Sequence, residues 1–175
     1  MSKPAEAGIW RPKGLIAVLD TSTLVRAWLA GLGRPSPARD VMRLAGRGFD
    51  SFTSPAILEE VEAVLERPRF GATRDQVRLW LDVFLRTSRQ VFPQAIPGQA
   101  AAAVHGDLAD VPILKTAHAA PVEFPEVAAA ARADAGWFPV SENTTDFSPG
   151  WTVWGWRFTT AHDFLRLLAG RGARE

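Results

Sequence analysis

The chain has 175 residues, and its 47% hydrophobic and 22% charged residues are typical of one globular domain rather than of a disordered chain. The absence of cysteine excludes disulfides and thiolate metal sites, and a net charge of +1 gives no bulk signature of a nucleic-acid partner. Residues 1–14 lack the apolar core of a signal peptide, and no apolar run is long enough to span a bilayer, so we expect a cytoplasmic protein with no membrane partner.

The first predicted element is a strand formed by the unbroken apolar run 15–19, which ends at Asp20. Because its hydrophobic residues do not alternate with polar ones, this run suits a strand that is buried on both faces of a parallel sheet. A helix is predicted directly after it, over about Ser22 to Leu29. Asp20 therefore stands at the junction between a buried strand and a helix.

Two Ser-Pro pairs, at residues 36–37 and 54–55, mark the next helix starts. Serine caps the free N–H groups of a first turn, and proline fits that turn. Phe49–Thr53 is predicted to be a strand, and Thr73 with Gln76 forms the pattern of a capping box. The later elements are predicted to be a short strand at 91–92, a helix from Pro112 to about His118, a strand at 137–141, a strand or hairpin over 151–158, and a helix from 160 to 170.

Alternating strands and helices predict an α/β fold around a mostly parallel central sheet. We expect a single domain over residues 15–170, between a flexible extension at 1–14 and a tail at 171–175. Ligands of such sheets bind at the carboxyl ends of the strands. The residues that directly follow each predicted strand are therefore the candidates for a functional site.

Several acids follow these strands, and each of them has an ordinary structural interpretation as well. An ionised Asp20 at the end of a buried strand is costly unless it is paired, but a lone Asp there more commonly caps the next helix. Glu60 and Glu62 lie about 100° to either side of the buried Val61, and periodicity does not choose between them. Asp110, Asn143 and Asp146 offer oxygen ligands, yet they also suit a helix cap or a turn.

Taken together, these side chains point to one edge of one sheet. Carboxylates that share a pocket raise each other's pKa unless a cation neutralises them. A hard divalent ion, Mg²⁺ or Mn²⁺, suits such an all-oxygen site.

Four segments, in order, resemble the motifs of the PIN-domain family and its VapC-like toxin branch. They are Val18–Val25, Ser54–Val61, Asp107–Leu114 and Val140–Phe147. A fifth segment, Arg157–Leu165, resembles the strand and helix that close the domain in this family. The resemblance covers roughly residues 15–168 and implies a three-layer α/β/α sandwich. It also implies an Mg²⁺- or Mn²⁺-dependent ribonuclease, often a homodimer and often paired with an antitoxin protein. The register of the motifs places the family's acids at Asp20, Glu60 and Asp110.

The resulting hypothesis is a ribonuclease, the toxin of a toxin–antitoxin pair, in which Asp20, Glu60 and Asp110 hold one or two ions. Asn143 or Asp146 would complete or orient the shell around the metal. Asn143 stands where many members carry Asp, which keeps open a catalytically weakened binding or regulatory module. The segment 119–136 is longer than expected and is predicted to be an insertion: a lid, a partner surface or a surface elaboration.

The residues also bear on three other interpretations: a phosphatase, a zinc site and an aromatic surface for unpaired bases. A phosphatase of the haloacid-dehalogenase type also begins with an Asp after a buried strand, but Ser22 occupies the place of its usual second Asp. The three histidines are too far apart in sequence to predict a zinc site. Trp154 and Trp156 are expected to share one strand face, which favours packing over stacking on unpaired bases.

Overall fold

The computed structural model describes residues 13–31, 34–101, 111–133 and 136–172. Its strands are β1 Ile16–Leu19, β2 Asp50–Thr53, β3 Ser88–Gln90, β4 Trp137–Val140, β5 Thr152–Val153 and β6 Trp156–Arg157. Its α-helices are α1 Thr21–Ala30, α2 Pro37–Leu44, α3 Pro55–Leu65, α4 Arg74–Leu85, α5 Gly98–Ala101, α6 Pro112–Glu123, α7 Pro125–Ala133 and α8 Ala161–Gly172. A short 3₁₀ turn, Pro68–Phe70, follows α3.

Four parallel strands form the central sheet in the order β3-β2-β1-β4. Every residue of β1 is buried, as the unbroken apolar run predicts for a strand covered on both faces. Helices flank the sheet, with α6 and α7 contacting β1 and α8 contacting β4. The predicted α/β fold with a parallel central sheet and flanking helices is therefore confirmed.

The predicted helix starts are also confirmed. Ser36 and Ser54 each precede a proline and accept a hydrogen bond from the N–H three residues on, at 3.4 Å. Both halves of the capping box form: the Thr73 hydroxyl accepts from the Gln76 N–H, and the Gln76 side chain accepts from the Thr73 N–H. These caps satisfy N–H groups that a first helical turn leaves free.

Three elements have boundaries that differ from the predictions by two residues or more, and one of them is α8, which ends at Gly172 rather than at Gly170. The third strand lies at Ser88–Gln90 rather than at 91–92, because an edge strand beside β2 tolerates polar residues. Helix α6 runs through Pro121 to Glu123 rather than ending near His118.

Within the expected insertion, 119–136, the described residues up to 133 form the end of α6 and the whole of α7. Its residues Ala120, Val127, Ala128 and Ala131 are buried in the core. The segment is therefore part of the domain core and not a surface elaboration. Whether it is an insertion relative to other members of a family stays a prediction.

The expectation that Trp154 and Trp156 share a strand face is wrong. Trp154 has φ 50° and Gly155 has φ 83°, so the two form the tight turn of a hairpin between β5 and β6. Side chains stop alternating between faces where the chain reverses direction. Trp154 packs on the ring of His118, with centroids 5.1 Å apart, whereas the buried Trp156 packs on Trp137 at 5.3 Å.

Candidate active site

A cavity of about 690 Å³ opens at the carboxyl edge of the sheet. It is lined by side chains that follow β1 and β4, by one face of α3 and by the start of α6. Carboxylate, amide and hydroxyl groups predominate among the polar residues of this lining: Asp20, Thr21, Ser22, Glu60, Glu142, Asn143 and Asp146. The parallel arrangement brings these distant parts of the chain together, because the carboxyl ends of the strands share one edge.

Asp20 occupies the N-cap position of α1, yet its side chain makes no capping hydrogen bond. Its Oδ2 instead accepts hydrogen bonds from the Ser22 and Ser141 hydroxyls, each at 2.7 Å. The residue is only 8% exposed, and among the described residues no hydrogen bond reaches its Oδ1. The capping interpretation therefore fails for this side chain, and one carboxylate oxygen is available to a ligand.

Ser141 is the residue that the sequence analysis missed. It directly follows β4, as Asp20 follows β1, and its hydroxyl lies 3.2 Å from that of Ser22. The Ser141 hydroxyl also accepts from the Asn143 N–H, and the Ser22 hydroxyl accepts from the Glu142 N–H. The two serines thus clamp Asp20 between β1 and β4. Its position directly after a buried strand was the available signal.

Glu60 is joined to the same edge by the residue next to Asp20. The Thr21 hydroxyl donates to Glu60 Oε2 at 2.8 Å. Glu60 is exposed to solvent, and it lines the cavity from α3. Thr21 therefore orients the Glu60 carboxylate beside the end of β1.

Glu62, which periodicity left equivalent to Glu60, has a different role. It forms ion pairs with Arg78 at 2.7 Å and Arg74 at 3.2 Å, both on α4. The hydrogen bond from Arg78, aided by that from Arg74, lowers the pKa of Glu62 below its ordinary value. The tertiary structure thus separates the two glutamates: Glu62 ties α3 to α4, and Glu60 faces the cavity.

Asn143 and Asp146 form a turn and also line the cavity. The Asn143 side-chain amide donates to Asp146 Oδ2 at 2.7 Å, and the Asp146 N–H donates to Asn143 Oδ1 at 3.3 Å. The turn interpretation from sequence is therefore correct, and it leaves both side chains at the cavity wall.

Glu142 lines the cavity but is engaged on both carboxylate oxygens. Oε2 pairs with Arg26 at 2.8 Å, and Oε1 accepts from the Ala161 N–H at the start of α8. An acid at a helix N-terminus is stabilised by the helix dipole. Glu142 therefore anchors α8 and α1 to the cavity wall.

Asp110 lies outside the described residues, as do Asp107 and His105. Val111, the next residue after Asp110, lines the cavity together with Pro112. The N-cap of α6 is Val111. The placement predicted for Asp110 stays a prediction.

The described part of the site offers only some of the ligands that a metal ion needs. Within the described ranges, no three acidic or histidine side chains lie close enough together to hold one. Asp20 and Glu60, linked through Thr21, supply two carboxylates, and Asp146 lies further along the same cavity. Oxygen-only donors of this kind fit a hard divalent cation, provided that a further ligand comes from water or from outside the described ranges.

A parallel α/β sheet with an acidic, oxygen-lined cavity at its carboxyl edge is the architecture of an α/β protein that binds its ligand where the strands end. A model of the PIN domain family matches residues 17–124, which is more than half of the chain. The protein therefore belongs to the PIN domain family, whose members are generally nucleases and usually use divalent metals. No curated protein matches the chain.

The matched segment includes Asp20 and Glu60 but ends before β4. Ser141, Asn143 and Asp146 are thus joined to the site by the fold rather than by the family match. Among the described helices, none combines the length and apolar character that a membrane span requires.

Proposed function

We propose that the protein is a metal-dependent endoribonuclease that hydrolyses phosphodiester bonds in RNA. Its catalytic set would be Asp20, Glu60, Asp110 and Asn143. The observation that carries the proposal is the state of Asp20: a buried carboxylate that caps nothing, held by two serine hydroxyls with one oxygen available at an acidic cavity.

The residues proposed to hold Mg²⁺ or Mn²⁺ are Asp20, Glu60 and Asp110, with Asp146 or Asn143 completing the shell. A bound metal of this kind supplies an activated water and stabilises charge on the phosphate. The chain's own contribution is geometric: Ser22 and Ser141 fix Asp20, and Thr21 fixes Glu60.

No side chain is required as a covalent nucleophile in this proposal. The Ser22 and Ser141 hydroxyls both donate to Asp20, so their protons are committed to holding the carboxylate. Water is therefore the proposed attacking group. As the new P–O bond forms and the bond to the leaving ribose oxygen breaks, the water would lose a proton to solvent and the leaving oxygen would take one up from solvent, because the cavity is open at the carboxyl edge.

The first test compares Glu60→Gln with Glu59→Gln, two adjacent glutamates of α3. Both are exposed, but Glu60 lines the cavity and Glu59 does not. Cleavage of a labelled single-stranded RNA should require Mg²⁺ or Mn²⁺, stop with EDTA, fall sharply in Glu60→Gln and persist in Glu59→Gln. Equal activity in the two variants would contradict the assigned site.

We further propose that this nuclease is the toxin of a toxin–antitoxin pair, acting in the cytoplasm and able to form a homodimer. This step rests on family analogy and not on the site. Expression of the wild type should arrest bacterial growth, and Asp20→Asn should relieve the arrest. Co-expression with a small protein from an adjacent gene should relieve it too. Growth that is unaffected by an active nuclease would contradict the toxin role alone.

The alternative is a PIN-fold module with a weakened site, and the observation that favours it is Asn143. Its amide is engaged with Asp146, and it brings no charge where many members of the family carry Asp. Calorimetric titration with Mn²⁺ separates the two possibilities. A nuclease should bind the ion in a way that Asp110→Ala removes, whereas a scaffold should bind it equally weakly in both proteins. The phosphatase alternative loses its basis because the chain belongs to the PIN domain family.

A further inference from the structure

Two arginines, Arg67 and Arg69, line the cavity and have no acidic partner within the part of the chain that the structure describes. Arg67 and Arg69 are both exposed and both belong to the cavity wall. Among the described residues neither forms an ion pair, whereas Arg74 and Arg78, on the next helix, are both paired with Glu62. The positive charge of Arg67 and Arg69 is therefore available to an anion that enters the cavity.

The segment that carries them is a constrained turn. Pro68 opens the 3₁₀ turn after Arg67, and Gly71 ends it with φ 63°. The guanidinium of Arg69 lies 4.6 Å from the centroid of the Phe70 ring, a cation–π contact that restrains it. Side chains ordered in this way lose less conformational freedom when they bind a ligand.

The turn is placed directly beside the proposed metal ligands. Glu60 and Val64 lie one turn apart on α3, and Arg67 follows two residues after that helix ends at Leu65. All three residues line the cavity. An anion bound at Arg67 would therefore share this cavity with the Glu60 carboxylate.

The charge balance of the cavity explains why such cations are needed. Asp20, Glu60 and Asp146 repel a polyanion from the edge at which it would be cleaved. Arg26, the other arginine of the cavity wall, is already paired with Glu142. Among the described residues of the cavity wall, attraction for a phosphate chain is thus left to the Arg67–Arg69 turn.

We infer that Arg67 and Arg69 bind backbone phosphates of the RNA strand that flank the scissile bond. The planar guanidinium fork suits a phosphate because it can donate two parallel hydrogen bonds. Contacts of this kind hold the strand in register but do not read its sequence. The identity of the strand rests on the proposed ribonuclease function, whereas the affinity for a phosphate chain can be measured without cleavage.

The test measures binding of a fluorescein-labelled single-stranded RNA by anisotropy, in EDTA so that no strand is cut. Arg67→Gln/Arg69→Gln is compared with Arg43→Gln/Arg47→Gln, which removes the same two charges near the amino end of β2. We expect the first variant to bind at least about tenfold more weakly. The slope of log affinity against log salt should fall by about 1.4, which is 0.7 for each lost phosphate contact. The Arg43→Gln/Arg47→Gln control should match the wild type in RNA affinity and in the slope against salt.

Two additional arms sharpen the result. A DNA strand of the same sequence should lose affinity by the same factor, because the contacts are to phosphate. Arg67→Lys/Arg69→Lys, which keeps the charges and removes the forks, should restore the salt slope but only part of the affinity. Melting temperatures within a few degrees of the wild type would show that each variant is folded.

The outcomes separate this inference from the proposed function. Unchanged RNA affinity in Arg67→Gln/Arg69→Gln, or an equal loss in the Arg43/Arg47 control, would overturn the phosphate-binding role while leaving cleavage intact. Arginine-dependent binding together with full cleavage by Glu60→Gln would support the inference and overturn the assigned nuclease site. A wild-type protein that binds neither strand in EDTA but cleaves RNA when Mg²⁺ or Mn²⁺ is added would overturn the inference and leave the proposed function standing.

Discussion

Two buried aspartates stand at opposite ends of neighbouring parallel strands, and their surroundings differ. Asp20 follows β1 at the carboxyl edge, is 8% exposed and accepts two hydroxyl hydrogen bonds at the wall of the cavity. Asp50 opens β2 at the amino edge, is 3% exposed and accepts the Lys13 backbone N–H at 2.7 Å. Burial raises the pKa of Asp50, which the Lys13 N–H and Arg89 oppose.

Burial of an acid therefore does not by itself identify a functional site. At the amino edge, the Asp50 carboxylate accepts a hydrogen bond from the backbone, and it does not line the cavity at the carboxyl edge. At the carboxyl edge a similar carboxylate is oriented by side chains and keeps an oxygen towards open space. We therefore expect changes at Asp20 to affect catalysis and changes at Asp50 to affect stability.

The largest expected effect is that of Asp20→Asn on RNA cleavage. Changes in groups that only support a metal ligand typically cost 10–100-fold, so loss of a proposed ligand itself should cost more than about 100-fold in kcat/KM. The melting temperature should stay within a few degrees, because the asparagine side chain keeps an oxygen to accept from Ser22 and Ser141. If Asp20→Asn loses much stability and keeps its full specific activity, Asp20 has the stabilising role that we assign to Asp50.

Ser141→Ala should have the next largest effect, through Asp20. Removing one of two donors to Asp20 Oδ2 should lower cleavage by roughly 10–100-fold and raise the metal concentration needed for half-maximal activity. Ser148→Ala is the matched control, since Ser148 is exposed in the same segment and does not line the cavity. An unchanged metal requirement in Ser141→Ala would show that the clamp on Asp20 is not needed.

Asp50→Ala should destabilise the protein and spare its activity. It removes the hydrogen bond from the Lys13 N–H to a buried carboxylate, whose net contribution is about 0.5–1.5 kcal/mol because the N–H of the exposed Lys13 can bond to water instead. Urea unfolding measures the loss, and cleavage per folded molecule should match the wild type. If cleavage falls while the free energy of unfolding stays constant, the amino edge has a role beyond stability.

The smallest expected effect is a pH dependence at Asp50. Because its pKa is raised in the folded state, folded wild-type protein binds the proton more tightly than the unfolded chain, and stability falls as pH rises through that range. The Asp50→Asn variant has no titratable carboxyl group at this position, so it does not show this dependence on pH. The free energy of unfolding of the variant should therefore rise relative to that of the wild type as the pH rises through and above 3.8, the ordinary pKa of an aspartate. If the difference in the free energy of unfolding between the variant and the wild type is the same at every pH, the pKa of Asp50 is not raised.

Much of the fold was predictable because its signals are local. The apolar run before Asp20 identified the central strand, and the Ser-Pro pairs identified two helix starts. The third strand was misplaced because a short edge strand of polar residues carries little hydrophobic signal. The prediction that Trp154 and Trp156 share a strand face was wrong because Trp154 lies in a turn, where the alternation of side chains is broken.

The site was predictable only in part. The order of motifs selected Asp20 and Glu60, and both line one cavity. Periodicity could not separate Glu60 from Glu62, since that choice depends on Arg74 and Arg78 of a different helix. Ser141 was missed because its hydrogen bond to Asp20 spans more than a hundred residues of sequence.

By itself, the sequence determined which segments become strands and helices and which acids stand where strands end, because hydrophobic patterning and capping act over a few residues. The tertiary structure decided what each acid does. Parallel pairing of β1 with β4 brings Ser141 to Asp20, and the packing of α3 on α4 ties Glu62 to arginines while leaving Glu60, Arg67 and Arg69 at the cavity. A carboxylate's role depends on which distant groups donate to it, and only the folded chain sets those distances.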